Sequence, residues 1–130
     1  MKKLAVFLLM GTLLACEEPT STQEQVATIA PAAFAEKMQE EGVVLLDVRT
    51  EEEFKEGHLE GAMQHDYYET ESFKSFLEGL DKSKTYMIYC RSGGRSGTTL
   101  DMMAQMGFDK VYNLDGGINA WKAAAMPVSK

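Results

Sequence analysis

The sequence predicts an α/β domain built on a mostly parallel sheet of four or five strands, with helices on both faces. Three observations carry this. Residues 43–48 and 86–90 are β-branched and apolar runs without polar alternation, the pattern of strands covered on both sides. Segments of helical period lie between such runs, and strands that alternate with helices pair in parallel. The chain has 130 residues, 45% of them hydrophobic, which suits one core.

The chain opens with Lys2 and Lys3, followed by an apolar run over residues 4–14 broken only by Gly11 and Thr12. That run is shorter than the roughly 20 residues a membrane helix needs, and it fits the apolar region of a signal peptide. Leu13, Leu14, Ala15 and Cys16 then resemble the lipobox of bacterial lipoproteins. The resemblance implies a signal peptide over residues 1–15, cleavage before Cys16, and a diacylglycerol on its sulfur. The mature chain would have 115 residues, and losing Lys2 and Lys3 takes its formal charge from −7 to −9. Glu17 after Cys16 points to the outer membrane, so the expected location is a lipid anchor in a bacterial envelope facing the periplasm. Residues 16–28 are read as a tether, because they are mostly polar and small and bury too little apolar surface to order themselves.

In the folded part, Pro31 suits a helix first turn, with Phe34, Ala35 and Met38 on one face and Gly42 as the stop. The strand over residues 43–48 follows. Thr50 with Glu51, Glu52 and Glu53 is a capping box, so a short helix is expected, ending at Gly57. Residues 62–65 read as a short strand. Thr70 is read as the cap of an amphipathic helix bearing Phe73, Phe76, Leu77 and Leu80. The strand over residues 86–90 runs into a glycine-bearing loop and then a helix with Leu100, Met103 and Ala104 on one face, stopped by Gly107. Residues 111–114 form another strand, Asp115, Gly116 and Gly117 a turn, and residues 118–125 a closing helix that contains Trp121.

Composition narrows the function. A formal charge of −7, with Lys and Arg scattered singly, offers no basic footprint for nucleic acid. A charged fraction of 25% with 9% aromatic residues excludes wholesale disorder. The two cysteines, Cys16 and Cys90, rule out a disulfide-stapled scaffold, and a lipidated Cys16 leaves Cys90 as the one free thiol.

Cys90 stands at the carboxyl end of a buried strand, where parallel sheets bind ligands. The loop after it, Arg91, Ser92, Gly93, Gly94, Arg95 and Ser96, turns into a helix, so backbone N–H groups and the positive helix end face the sulfur and favour its thiolate. Gly93 and Gly94 permit the turn, Arg91 is read as a substrate-facing charge, and Arg95 as a fixed positive charge across the loop. Ser96 is placed to cap the helix and to hydrogen-bond the sulfur. The pattern describes a nucleophile with its own anion pocket, against the blander reading of a buried, inert cysteine.

This loop resembles the active-site loop of single-domain rhodaneses, the thiosulfate sulfurtransferases. Three further stretches agree in order: Asp47, Val48 and Arg49 with Glu53 and Phe54; Gly57 to Ala62; and Leu114 to Gly117 with Ala120 and Trp121. The resemblance identifies residues 29–130 as a rhodanese-like domain. It implies a Cys90 persulfide that takes sulfane sulfur from thiosulfate or another donor and passes it to cyanide or a thiol, with the backbone of residues 91–96 as the anion cradle. It implies no metal or organic cofactor, and the chain is expected to be a monomer. Four residues separate Cys90 from Arg95, one fewer than in cysteine phosphatases, so the cradle is short for a phosphoryl group. The alternative is a non-catalytic module that binds a protein partner or senses oxidants and persulfides.

Other residues have scaffold readings. Arg49 and Glu53 are spaced to pair across a strand-to-helix turn. His58 is read as holding a turn, with a proton carrier near the site as the alternative. His65, Tyr67 and Tyr68 depart from the family pattern and are read either as pocket rim or as exposed loop. Met102, Met103 and Met106 at helical spacing are core filler rather than copper ligands, and Trp121 is a core aromatic.

The anchor reading gives a first prediction. Cys16→Ala should move the protein from the membrane fraction to the soluble exported fraction. Fractionation checks it, and a variant that still needs detergent for extraction refutes the lipid on Cys16.

Overall fold

The structure is a computed structural model that describes residues 25–130, so Cys16 and the expected signal peptide lie outside the described residues. Five strands alternate with five helices among those residues: β1 (Val26–Ile29), α1 (Pro31–Lys37), β2 (Val43–Asp47), α2 (Glu51–Glu56), β3 (Met63–Gln64), α3 (Thr70–Glu78), β4 (Thr85–Tyr89), α4 (Gly94–Gln105), β5 (Lys110–Leu114) and α5 (Gly117–Ala123). The sheet order is β1-β5-β4-β2-β3, and every adjacent pair is parallel.

The apolar runs without alternation are buried on both faces, as their composition requires. On one face Leu46, Ile88 and Val111 pack with Phe73 and Leu77 of α3 and Leu100 and Met103 of α4. On the other, Leu45, Met87 and Leu114 pack with Phe34 of α1 and Ile118 and Trp121 of α5. Trp121 meets Phe34 edge to face and donates its indole N–H to Pro127 O at 2.9 Å, which closes the C-terminal segment over the core. Met103 is fully buried, and Met102 and Met106 pack against the same cluster.

Three elements differ from the sequence reading. Val26, Ala27 and Thr28, read as tether, form β1 and pair with β5, because an edge strand needs only one hydrogen-bonded neighbour and a half-buried face. Helix α1 ends at Lys37, well before Gly42. Thr70 is the first residue of α3 and Glu69 occupies the cap position, with no side-chain capping bond. Thr50 does cap α2, accepting from the Glu53 N–H at 3.3 Å.

The end of β2 is organised by a buried charge. Asp47 is fully buried and lies in register beside Tyr89. Its carboxylate accepts from the Arg49 backbone N–H at 3.0 Å, from Arg49 Nε at 3.0 and 3.1 Å, from Arg49 Nη2 at 2.7 Å, and from the Tyr89 hydroxyl. The expected Arg49–Glu53 pair does not form. Arg49 turns back to Asp47 because a buried carboxylate binds a guanidinium fork more strongly than a half-exposed one does. Arg49 Nη2 also donates to Gly57 O at 2.7 Å, and the Tyr89 oxygen accepts from Leu59 N at 3.1 Å. The chain leaving α2 is thereby tied to the sheet. Burial and the Asp47 charge push the Tyr89 phenol far above its ordinary range, so it stays a donor. His58 stacks on Phe54, and its Nδ1 lies 3.0 Å from Phe54 O, which makes it a turn residue.

Tyr89→Phe removes one donor from Asp47 and the acceptor for Leu59 N. Its expected cost is about 1–3 kcal/mol, read as a lower denaturation midpoint at unchanged slope.

Candidate active site

The loop after β4 is held by its carbonyl side and open on its N–H side. Cys90 O accepts from Ile118 N at 2.9 Å and Arg91 O from Asn119 N at 3.1 Å, so the start of α5 fastens two loop carbonyls. Gly117 permits this approach: a Cβ there would stand 2.5 Å from Cys90 O and from Arg91 C and O. With those carbonyls turned away, the N–H groups of the following residues face the sulfur. Gly93 adopts φ +107°, a left-handed conformation that swings the chain into α4. Its N–H donates to Cys90 Sγ at 3.1 Å.

Ser96 is completely buried in the first turn of α4, and its hydroxyl donates to Sγ at 3.2 Å. Gly93, not Ser96, occupies the cap position of that helix, so of the two roles expected for Ser96 only the sulfur contact forms. Cys90 is 1% exposed. Burial by itself would push its thiol up, but the Ser96 hydroxyl and the N–H groups of Ser96, Gly93 and Ser92 outweigh burial and bring it below its ordinary value.

Arg95 does not face the sulfur as a free charge. Its guanidinium forms a fork with Glu53, Nη1 to Oε1 at 2.8 Å and Nη2 to Oε2 at 2.9 Å, joining α2 to the first turn of α4. The Arg95 hydrogen bonds hold the Glu53 carboxyl below its ordinary value. Arg91, Ser92 and Gly94 lie exposed on the loop, and Gly93 is half-buried. Of the six expected loop residues, Ser92, Gly93 and Ser96 supply the donors to the sulfur, Arg95 pairs with Glu53, and Arg91 and Gly94 lie exposed.

The segment after β3 divides its roles. His65 stacks on Phe76 with Nε2 3.2 Å from Ser72 Oγ, so it serves α3. Tyr67 packs on Phe73, and only Tyr68, 64% exposed, reaches the site rim, with Arg95 Cζ 5.3 Å from its ring centre. The sequence reading missed Glu53 as the partner of Arg95 and the α5 N–H groups as the clamp on the loop. The closing Gly116-Gly117 pair was the available signal for the clamp, while Glu53 had none, standing 42 residues from Arg95.

The family model described as the rhodanese-like domain matches residues 30–124. An uncharacterized protein of Synechocystis is 34% identical over 118 residues, covering 85% of this chain and 60% of that protein. A tRNA uridine(34) hydroxylase of Chlamydia caviae is 34% identical over 116 residues, covering 85% of this chain and 34% of the enzyme. This chain therefore spans about 60% of the first relative's length and about a third of the second's. A rhodanese-related protein of Thermoplasma volcanium superposes with a TM-score of 0.68 at 24% identity, covering 79% of this chain and 97% of that one, which shows a common fold.

Ser96→Ala should raise the thiol toward its ordinary value by removing a donor to the thiolate. The midpoint of Cys90 alkylation rate against pH should move up in the variant, because the lost hydroxyl is a donor to the charged form of the sulfur. An unmoved midpoint would leave the backbone N–H groups as sufficient.

Proposed function

The chain belongs to the rhodanese-like domain family, and on that premise we propose that it is a sulfurtransferase working through a Cys90 persulfide. The observation that carries the reading is the sulfur itself, which receives the Gly93 N–H at 3.1 Å and the Ser96 hydroxyl at 3.2 Å. Such donors stabilise an attacking thiolate and, one sulfur further out, the terminal anion of a persulfide.

In the first step the Cys90 thiolate attacks the sulfane sulfur of thiosulfate. A new S–S bond forms, the old one breaks, and sulfite leaves with its electron pair. In the second, a thiol or cyanide attacks the outer sulfur and Cys90 departs as thiolate. No net oxidant or metal enters either step. The C-x4-R spacing supports sulfur transfer over phosphoryl transfer, and the formal charge of −7 gives no footprint for tRNA. The envelope location and the lipid on Cys16 complete the proposal and rest on the sequence of residues 1–16. The rival module for partner binding or persulfide sensing needs no turnover.

Thiosulfate treatment should add about 32 Da to the wild-type protein at Cys90, reversibly by thiols, and nothing to Cys90→Ser at that position. Intact-mass and peptide spectrometry read this, with p-nitrophenyl phosphate hydrolysis expected to stay at background. A wild-type protein that stays unmodified by every sulfane donor, yet binds a partner as well as Cys90→Ser does, would assign the chain to the module instead.

A further inference from the structure

A polar pocket of about 160 Å³ lies behind the cysteine loop, on the side its carbonyls face. Its walls are Arg49, Glu53, Glu56, Arg91, Asn119 and Lys122, with Ile118 as the one apolar residue. The residues that donate to the sulfur, Ser92, Gly93 and Ser96, do not belong to it, and neither does Cys90. Arg49 is the buried member. Its side chain is 5% exposed, Nε and Nη2 are bound to Asp47 and Gly57, and Nη1 has no hydrogen-bond partner among the described residues. Asn113 Oδ1 is the only fully enclosed side-chain polar atom without a partner among those residues, so Nη1 is not enclosed. The pocket is the opening that Arg49 lines, and Nη1 is the donor it presents there. Arg91 and Lys122 are exposed on the same walls and make no salt bridge among the described residues, whereas Glu53 is committed to Arg95. Glu56, exposed and also without a salt bridge, opposes them.

The three cations come from separate parts of the fold: the segment after β2, the cysteine loop and α5. Donors that converge from three elements suit an anion with three or more oxygens, rather than a carboxylate, whose two oxygens lie in one plane. Walls that are polar but for Ile118 give an apolar body nothing to pack on, so the ion is small. We infer that this pocket is an oxyanion site separate from the sulfur, which takes an inorganic anion of the sulfate or phosphate class and bridges the cysteine loop to α5 and to Arg49. The bound ion neutralises Arg91 and Lys122 and holds the loop against the Ile118 and Asn119 N–H groups that fasten its carbonyls. The site stands apart from sulfur transfer, since no group that touches the sulfur lines it.

The test titrates wild type, Cys90→Ser, Lys122→Gln and Glu56→Gln with sodium sulfate, against sodium chloride at matched ionic strength, and reads backbone amide shifts. Lys122 and Glu56 are exposed, so their variants leave the Asp47–Arg49 pair intact. The Asn119 amide should respond saturably to sulfate, with a dissociation constant in the millimolar range, and not to chloride. Lys122→Gln should weaken binding about two- to fivefold and Glu56→Gln should tighten it by a similar factor, the range of one exposed charge pair. Cys90→Ser should bind as wild type does. With sulfate at about ten times its dissociation constant, hydrogen exchange at Ile118 and Asn119 should slow about tenfold, because opening the clamp releases the ion. A response that chloride matches, or one that neither wall variant moves, overturns the site. So does binding that disappears in Cys90→Ser, or shifts confined to Gly93 and Ser96, either of which puts the anion at the sulfur. Unchanged exchange at Ile118 and Asn119 overturns the bridge.

Discussion

The carboxylate of Asp47 is the constraint around which the site is arranged. A fully buried, unpaired carboxylate would cost several kcal/mol, and it draws in the Arg49 fork and the Tyr89 hydroxyl. Each partner then fixes another piece of backbone. Arg49 binds Gly57 O, and the Tyr89 oxygen binds Leu59 N, so the segment leaving α2 is fastened to the sheet on both sides. With α2 held, Glu53 is placed to grip Arg95 at the start of α4. A charge buried at one strand end therefore steadies the helix whose first turn donates to the Cys90 sulfur.

The second ordering principle is the division of the cysteine loop into a carbonyl side and an N–H side. A loop at a strand's end carries both kinds of group, and left alone they would compete for whatever binds there. Fastening Cys90 O and Arg91 O to α5 removes the acceptors from the sulfur's surroundings and leaves donors. That sidedness lowers the thiol despite burial. Gly117 is the geometric condition for it, since any side chain there would collide with the carbonyls being held.

The formal charge of −7 repels anions at long range, but distant surface charges are screened over about 8–10 Å in ordinary salt. Oriented N–H dipoles and a few local cations act at contact distance, where screening is weak. Arg95 contributes through position rather than charge, because Glu53 neutralises it. The electrostatics around Cys90 are thus set locally, within a chain that is acidic as a whole.

The sequence by itself determined the elements whose cause is local. The runs of Val, Leu, Ile and Tyr over residues 43–48 and 86–90 specify buried parallel strands; Thr50 with Glu53 specifies the start of α2; and Cys90 followed by its glycine-bearing loop specifies a sulfur facing N–H groups. Each follows from propensity, periodicity or the conformational demands of a few consecutive residues. Tertiary structure decided whatever depends on partners distant along the chain. Val26–Ile29 becomes a strand because the edge of β5 is free to pair with it. Arg49 abandons Glu53 for Asp47 because only the folded sheet buries that carboxylate, and Glu53 is then released for Arg95, 42 residues away. His65, Tyr67 and Tyr68 are adjacent in sequence but separate among helix, core and rim according to which neighbours the fold supplies. Local sequence encodes conformation, whereas the pairing of charges depends on burial, and burial exists only once the chain has folded.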